Sequence, residues 1–294
     1  MAVQAPKNVV HFKEPTLVRH QDAVRFLWGD EESGFVPDIV YGRGDRISAL
    51  IYRLGPRGLF RSSKTWRPYY DQDRFYYVVS GELTIQDPET GDIAVARAGE
   101  AVYWRGARFH FGYNFGGEET LVLDWYAPQE RAPSVPEIET SLKKRDPRAY
   151  CAGRHDLLGN WPTGALSDLQ ARLAEGRVVT LRREAALHFI HGKAQPILMN
   201  LYVSTKELTA GTFDLQPATM GEPETHAGDE VVFALDGRLH VYVPDSFDWF
   251  ELNPLDCLYL PQGTRHCYCN TGAVVARAAF CVVPRYRVGE PPQD

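Results

Sequence analysis

The stretch Glu224-Thr-His226-Ala-Gly-Asp-Glu230, with Gly237 one strand later and Pro261-Gln-Gly-Thr-Arg-His266-Cys-Tyr-Cys-Asn270 beyond it, decides how this chain is read. Glu224 and His226 are two residues apart, so on an extended strand both side chains leave from one face. The loop Ala227-Gly-Asp lets the chain turn Glu230 back toward them, and His266 follows a Pro-x-Gly turn on a neighbouring strand. Inside a small β-barrel these four side chains converge on one point, where imidazole and carboxylate suit Fe(II), Mn, Zn, Ni or Co better than a soft metal. Taken singly, each reads as a satisfied core histidine or a strand-end carboxylate; their joint spacing points to a metal. Tyr268 shares the parity of His266 and is expected to line the pocket as a substrate-binding residue, whereas Cys267 and Cys269 face away.

The pattern occurs twice. Val-Val-Ser-Gly81-Glu-Leu-Thr in the first half answers Ala-Leu-Asp-Gly237-Arg-Leu-His in the second, and Gly81 and Gly237, His110 and His266, and Asn114 and Asn270 are each 156 residues apart. One offset at three landmarks means one β unit used twice with few insertions between its signature turns. Short runs rich in Val, Tyr, Phe, Leu and Thr, bounded by Gly, Pro, Asp and Asn, predict an all-β chain. Helical spacing is confined to Leu166, Leu169 and Leu173. The expected organisation is a barrel over 15–130, a connecting segment with a short helix over 131–184, and a second barrel over 185–285.

On these residues the chain resembles the cupin superfamily. That family's first motif has two histidines one residue apart, a Glu four residues after the second and a Gly seven further on; its second has Pro-x-Gly, then His, then Asn. His226, Glu230, Gly237, Pro261, Gly263, His266 and Asn270 match, while Glu224 replaces the first histidine and Leu255 stands where a Gly usually opens the second motif. The resemblance implies two tandem cupin (double-stranded β-helix, jelly-roll) barrels. It also implies one divalent ion in the C-terminal barrel, Fe(II) ahead of Mn, Zn, Ni or Co, held by His226, Glu230 and His266, with Glu224 as fourth ligand or as a base.

By the same offset Glu224 maps to Pro68, His226 to Tyr70 and Glu230 to Arg74, so only His110 survives from the ligand set and the N-terminal barrel is expected to be a degenerate cupin that holds no metal. Arg67, Arg74, Arg105 and Arg108 gather at its motif positions. They read either as an anion pocket or as ion pairs with Asp71, Asp73 or a partner subunit.

Within the superfamily such sites serve dioxygenases, isomerases, lyases, aminohydrolases and binding proteins without turnover. Two histidines and a carboxylate resemble the non-haem iron arrangement that leaves positions open for substrate and dioxygen. The expected function is therefore a mononuclear metal-dependent dioxygenase acting on a small oxygenated or aromatic compound. A redox-neutral isomerase, lyase or aminohydrolase, with Glu224 or Glu230 moving the proton, and a non-catalytic binding module are the alternatives.

Composition excludes other classes. Across 294 residues, 32 Lys+Arg stand against 38 Asp+Glu, with no basic tract, so nucleic acid is not an expected partner. No apolar run nears the roughly 18 residues of a membrane span, and the first residues lack a signal-peptide pattern, which together predict a cytoplasmic protein. Five cysteines without a Cys-x-x-Cys pair predict reduced thiols. His188 and His191 are expected to be structural. Phe75-Tyr-Tyr-Val-Val is apolar on both parities, more than one barrel interior needs, and predicts a homodimer.

Overall fold

The computed structural model describes residues 8–63, 69–88, 90–105, 107–127, 177–192, 194–284 and 286. The runs of β-branched and aromatic residues form strands, and these build two barrels of the same strand order. In the first, Gly34–Arg43, Ser48–Leu54, Thr120–Ala127, Asp73–Ser80 and Ala101–Trp104 lie side by side, and Ile93–Arg97, Glu82–Gln86, Phe111–Tyr113 and Leu59–Phe60 form the smaller sheet. In the second, Ile197–Ser204, Thr209–Leu215, Ala276–Val283, Asp229–Asp236 and Cys257–Leu260 face Asp248–Leu252, Leu239–Val243, Cys267–Asn270 and Thr219–Met220. The all-β, two-barrel architecture expected from the repeat is the architecture of the chain. No helix among the described residues is long and apolar enough to cross a membrane. The helix expected over Leu166 to Leu173, Cys151 and the connection up to residue 176 lie outside the described residues.

The repeat is legible in the backbone. Gly81 and Gly237 follow equivalent strands with φ of +77° and +67°, a conformation that costs a glycine nothing and strains other residues. A Cβ on either would meet backbone of the neighbouring strand at 2.9 Å or less. Asn114 donates to the carbonyls of Leu54 and Glu118 and accepts from Gly116 N–H; Asn270 does the same with Leu215, Val274 and Gly272. The 156-residue offset holds from Asp73–Ser80 and Asp229–Asp236 onward. Between Phe60 and Asp73 the first barrel carries four more residues than the second does between Met220 and Asp229.

Each large sheet is completed by a strand from the other half of the chain. Thr16–Val18 pairs antiparallel with Cys257–Leu260, and Val179–Leu181 pairs antiparallel with Ala101–Trp104. The first barrel thus lends Thr16–Val18 to the second across the boundaries 15–130 and 185–285, and the end of the connecting segment supplies Val179–Leu181 to the first. One apolar cluster fills each barrel, and a third lies between them, where Tyr41 meets Phe233 edge-on at 4.8 Å and Phe12 stacks on Tyr259 at 4.5 Å. The second face of Phe75–Val79 belongs to this third cluster: Phe75 and Tyr77 meet Tyr202 of the other barrel at 6.2 and 5.9 Å. The surplus apolar surface from which a homodimer was expected is thus covered within the chain.

Candidate metal centre

Local sequence brings the four predicted side chains to one end of the C-terminal barrel. Glu224 sits in a single antiparallel bridge with His266, each N–H donating to the other's carbonyl at 2.8 and 3.0 Å, rather than on a regular strand. The Pro261-Gln-Gly turn folds back so that Gly263, at φ +83°, donates its N–H to the His226 carbonyl at 3.1 Å. Gly228, between His226 and Glu230, passes so close to the Val283 carbonyl that a Cβ there would lie 2.3 Å from it. Glu230 then enters the strand Asp229–Asp236 pointing inward.

The Nε2 atoms of His226 and His266 stand 3.4 and 3.2 Å from Glu230 Oε2. Both imidazoles hydrogen-bond through Nδ1 to a backbone carbonyl, that of Tyr286 at 2.9 Å and that of Thr264 at 3.1 Å. A carbonyl only accepts, so each Nδ1 carries the proton and each Nε2 turns a lone pair on the centre. Tyr268 donates its hydroxyl to Glu230 Oε1 at 2.7 Å, which leaves Oε2 facing the same point.

Three buried acceptors without a hydrogen-bond partner, His226 Nε2, His266 Nε2 and Glu230 Oε2, thus meet at distances where only a cation between them is favourable. A divalent ion fits this donor set. The same demand is visible in protons: burial alone lowers the His226 pKa, but the Glu230 carboxylate and then Glu224 hold it up, to about 9. Burial would raise Glu230, and the positive charge His226 carries when protonated, with His266 facing the same oxygen, pulls it well below the usual carboxylate range instead.

Glu224 is close but differently held. Its oxygens lie 4.0 Å from both Nε2 atoms, and the ligand atoms of Glu224, His226 and His266 all fall within 4.8 Å of one another. Oε2 accepts the Tyr286 hydroxyl at 3.1 Å and lies 3.7 Å from His191 Nε2. Two residues that sequence reading missed therefore belong to the site. His191 was set aside as structural, and only His188 is so, bonded to Asn200 at 2.7 Å. The signal that fails for both is spacing: His191 arrives on Leu187–His191, the outermost strand of the large sheet, and Tyr286 follows the last strand. Tyr286 also packs against His226, the two rings tilted by 38° with centroids 4.3 Å apart.

The expected pocket-lining residue, Tyr268, is buried with its hydroxyl on Glu230 and its ring edge toward His266. Cys267 and Cys269 are free thiols directed away from the imidazoles, and burial raises both pKa values, that of Cys269 to about 12.

The equivalent position in the N-terminal barrel has other chemistry. His110 Nε2 pairs with the Tyr76 hydroxyl at 3.0 Å, and burial, then the Arg74 charge, pushes its pKa well down. Arg74 grips both oxygens of buried Asp124 at 2.8 and 3.1 Å. Arg105 reaches Asp73 at 3.5 Å, as expected, but Arg108 pairs with Asp87 at 2.6 Å and Arg74 with Asp124, because the strand order brings these carboxylates nearer than the adjacent ones. Arg67 and Pro68 lie outside the described residues.

Residues 211–283 match the family described as the cupin domain. No curated protein sequence matches the chain significantly. Among solved structures, the chain is similar to oxalate decarboxylase of Bacillus subtilis, with a TM-score of 0.62 at 13% identity over 96% of this chain and 81% of that one. It is also similar to a glyoxylate-induced protein of Pseudomonas aeruginosa, with a TM-score of 0.62 at 12% identity over 100% and 97%. AerE of Microcystis aeruginosa gives 0.56 at 13% identity over 89% and 97%. At these identities the likeness is one of fold. The decarboxylase carries Mn(II) centres.

Proposed function

From the premise that this chain carries the two-barrel cupin fold with a His/Glu group in its C-terminal barrel, we propose a mononuclear divalent-metal enzyme for a small oxygenated compound. Glu224 moves a proton on the substrate. The observation that carries this reading is the difference between the two glutamates. Glu230 lies 3.2–3.4 Å from both imidazole Nε2 atoms, whereas Glu224 stands at 4.0 Å with one oxygen held by Tyr286 and beside His191. His226, Glu230 and His266 would hold the ion, and Glu224 stands next to it as a base.

When bound, a divalent ion supplies a Lewis acid that polarises a substrate carbonyl or hydroxyl oxygen. The chain's own residues do the rest. Tyr268 fixes Glu230, the two backbone carbonyls fix the imidazoles, and Tyr286 holds the Glu224 carboxylate at the edge of the group. There Glu224 accepts a proton from a substrate carbon or oxygen and returns it. The donor set accommodates Mn or Fe(II), and Mn(II) in a decarboxylase of the same fold makes it the first metal to try.

The dioxygenase expected from the sequence stays as a second reading, supported by the convergence of two imidazoles and one carboxylate. Loading the protein with Mn(II) or Fe(II) and supplying small oxo- and hydroxycarboxylates with and without dioxygen separates the readings. Redox-neutral chemistry turns over anaerobically and falls by roughly 10²–10⁴-fold in Glu224→Gln. Stoichiometric dioxygen uptake replaces it with the oxygenase, and metal binding without turnover across the panel favours the binding module.

A further inference from the structure

The polar end of the N-terminal barrel contains a carboxyl group, that of Asp38, that forms no salt bridge among the described residues. Asp38 and Tyr52 are directly opposed on neighbouring strands, so their side chains share the inward face. Tyr52 is 3% exposed, and its hydroxyl has no hydrogen-bond partner; neither has Asp38 Oδ1, which solvent does not touch although the residue as a whole is half-buried. The other carboxylate of this interior, Asp124, accepts hydrogen bonds from Arg74 on both of its oxygens. Among the described residues no salt bridge reaches Asp38, and its companion is the Trp28 side chain.

The surroundings are aromatic. Tyr52 meets Phe60 and Tyr76 edge-on at 5.8 and 5.1 Å, and Phe60 meets Trp28 at 6.0 Å. Burial pushes the Asp38 carboxyl up to about 8, with nearby Asp124 pushing the same way against Trp28, Arg43 and Arg74. A buried acid with one open oxygen, a phenol with an open oxygen and ring faces around them are the elements that recognise an organic cation. A hard metal ion does not fit: it wants several anionic oxygens, and Arg74 stands nearby. An anion is opposed by Asp38 once it is ionised, above its raised pKa.

We propose that the N-terminal barrel binds a small ammonium-bearing compound, its N–H groups donating to Asp38 Oδ1 and the Tyr52 hydroxyl oxygen and its carbon chain lying against Trp28, Phe60 and Tyr76. The barrel that carries the arginine in place of the metal-site glutamate is then a second ligand site of different charge preference, independent of the metal centre.

Calorimetric titration of the full chain with n-butylammonium chloride at about pH 9, where Asp38 is ionised and the amine keeps its proton, tests this, with butan-1-ol and sodium butyrate as neutral and anionic controls. The expected result is saturable binding of the amine alone, weakened at least about tenfold by Asp38→Asn and severalfold by Tyr52→Phe. Asp38→Asn conserves shape, and Tyr52→Phe supplies a second variant that leaves the carboxylate in place. His266→Ala, in the other barrel, is expected to bind the amine as wild type does. Absence of binding, equal binding of the alcohol, unchanged affinity in both variants or loss of binding in His266→Ala overturns the proposal. So does a high-resolution structure at saturating amine in which ordered water alone joins Asp38 and Tyr52.

Discussion

Arg74 and Glu230 occupy the same position of the two barrels with opposite charge. Each is the second residue of its strand; Arg74 lies opposite Trp104 and Tyr126, and Glu230 lies opposite Leu260 and Val282, every pair 156 residues apart. A carboxylate there faces two imidazole Nε2 atoms at 3.2–3.4 Å and makes with them a site for a cation, and a guanidinium there pairs with Asp124 instead. Together with Pro68 and Tyr70 at the sequence positions of Glu224 and His226, this change of charge type separates a metal-ready barrel from an ion-paired one.

Metal content should follow this asymmetry. Protein loaded with Mn(II) and gel-filtered is expected to retain one ion per chain, to lose it in His266→Ala and Glu230→Gln, and to keep it in His110→Ala. Mass spectrometry of the metal checks this, and equal content in wild type and His266→Ala would move the site out of the C-terminal barrel.

Tyr268→Phe removes the donor that fixes Glu230 Oε1 while keeping the buried ring. Groups in this supporting role are worth about 10–100-fold in metal affinity. Chelator competition should show a loss of that size with the fold intact; unchanged affinity would mean the ring packing alone holds Glu230 in place.

Arg74→Met leaves Asp124 buried without its partner, since the two side chains are only 7% and 9% exposed. Breaking one side of such a pair costs about 3–5 kcal/mol. Urea unfolding should show a loss of this order, and Arg74→Met combined with Asp124→Leu should recover much of it.

Asp38 gives a stability effect with a definite sign. Its folded pKa, near 8, lies above the unfolded Asp value, so between those two pH values the folded chain holds a proton that the unfolded chain has released. This group's contribution is present at low pH and is lost as pH rises through that window. Melting curves should show Asp38→Asn close to wild type near pH 4 and more stable than wild type near pH 8; the reverse order contradicts the assignment.

The exchanged strands predict that residues 185–285 do not make a self-sufficient unit. Without Thr16–Val18, Cys257–Leu260 becomes an open edge, and Tyr259 loses the stacked ring of Phe12. Expressed alone, this segment should aggregate or unfold without cooperativity, and light scattering and thermal melting check it. A monomer melting like the full chain would count against the exchange.

Much of the site was legible because its rules are local. Strand parity puts Glu224 with His226 and His266 with Tyr268, and the Pro-x-Gly turn sets where His266 begins. Leu255 shows how far this extends. It departs from the expected glycine, yet its backbone keeps the glycine's conformation, φ +69° against +86° at Gly99, and its N–H reaches the Ala234 carbonyl as that of Gly99 reaches Val78. The neighbouring strands over-determine the turn and hold a leucine in a region that strains it.

By itself the sequence determined the duplicated β unit, the glycines that mark its turns and the four side chains that converge, since each follows from the spacing of a few residues. Only the tertiary structure decided that Arg74 takes Asp124, fifty residues away, and that Tyr286 and His191 hold Glu224. It alone decided that Thr16–Val18 completes the distant barrel and that the second face of Phe75–Val79 meets Tyr202 of the other barrel. These contacts carry no periodic signal: each joins single residues or three-residue strands across long stretches of chain, and which partner is nearest is set by the packing of the two barrels against each other.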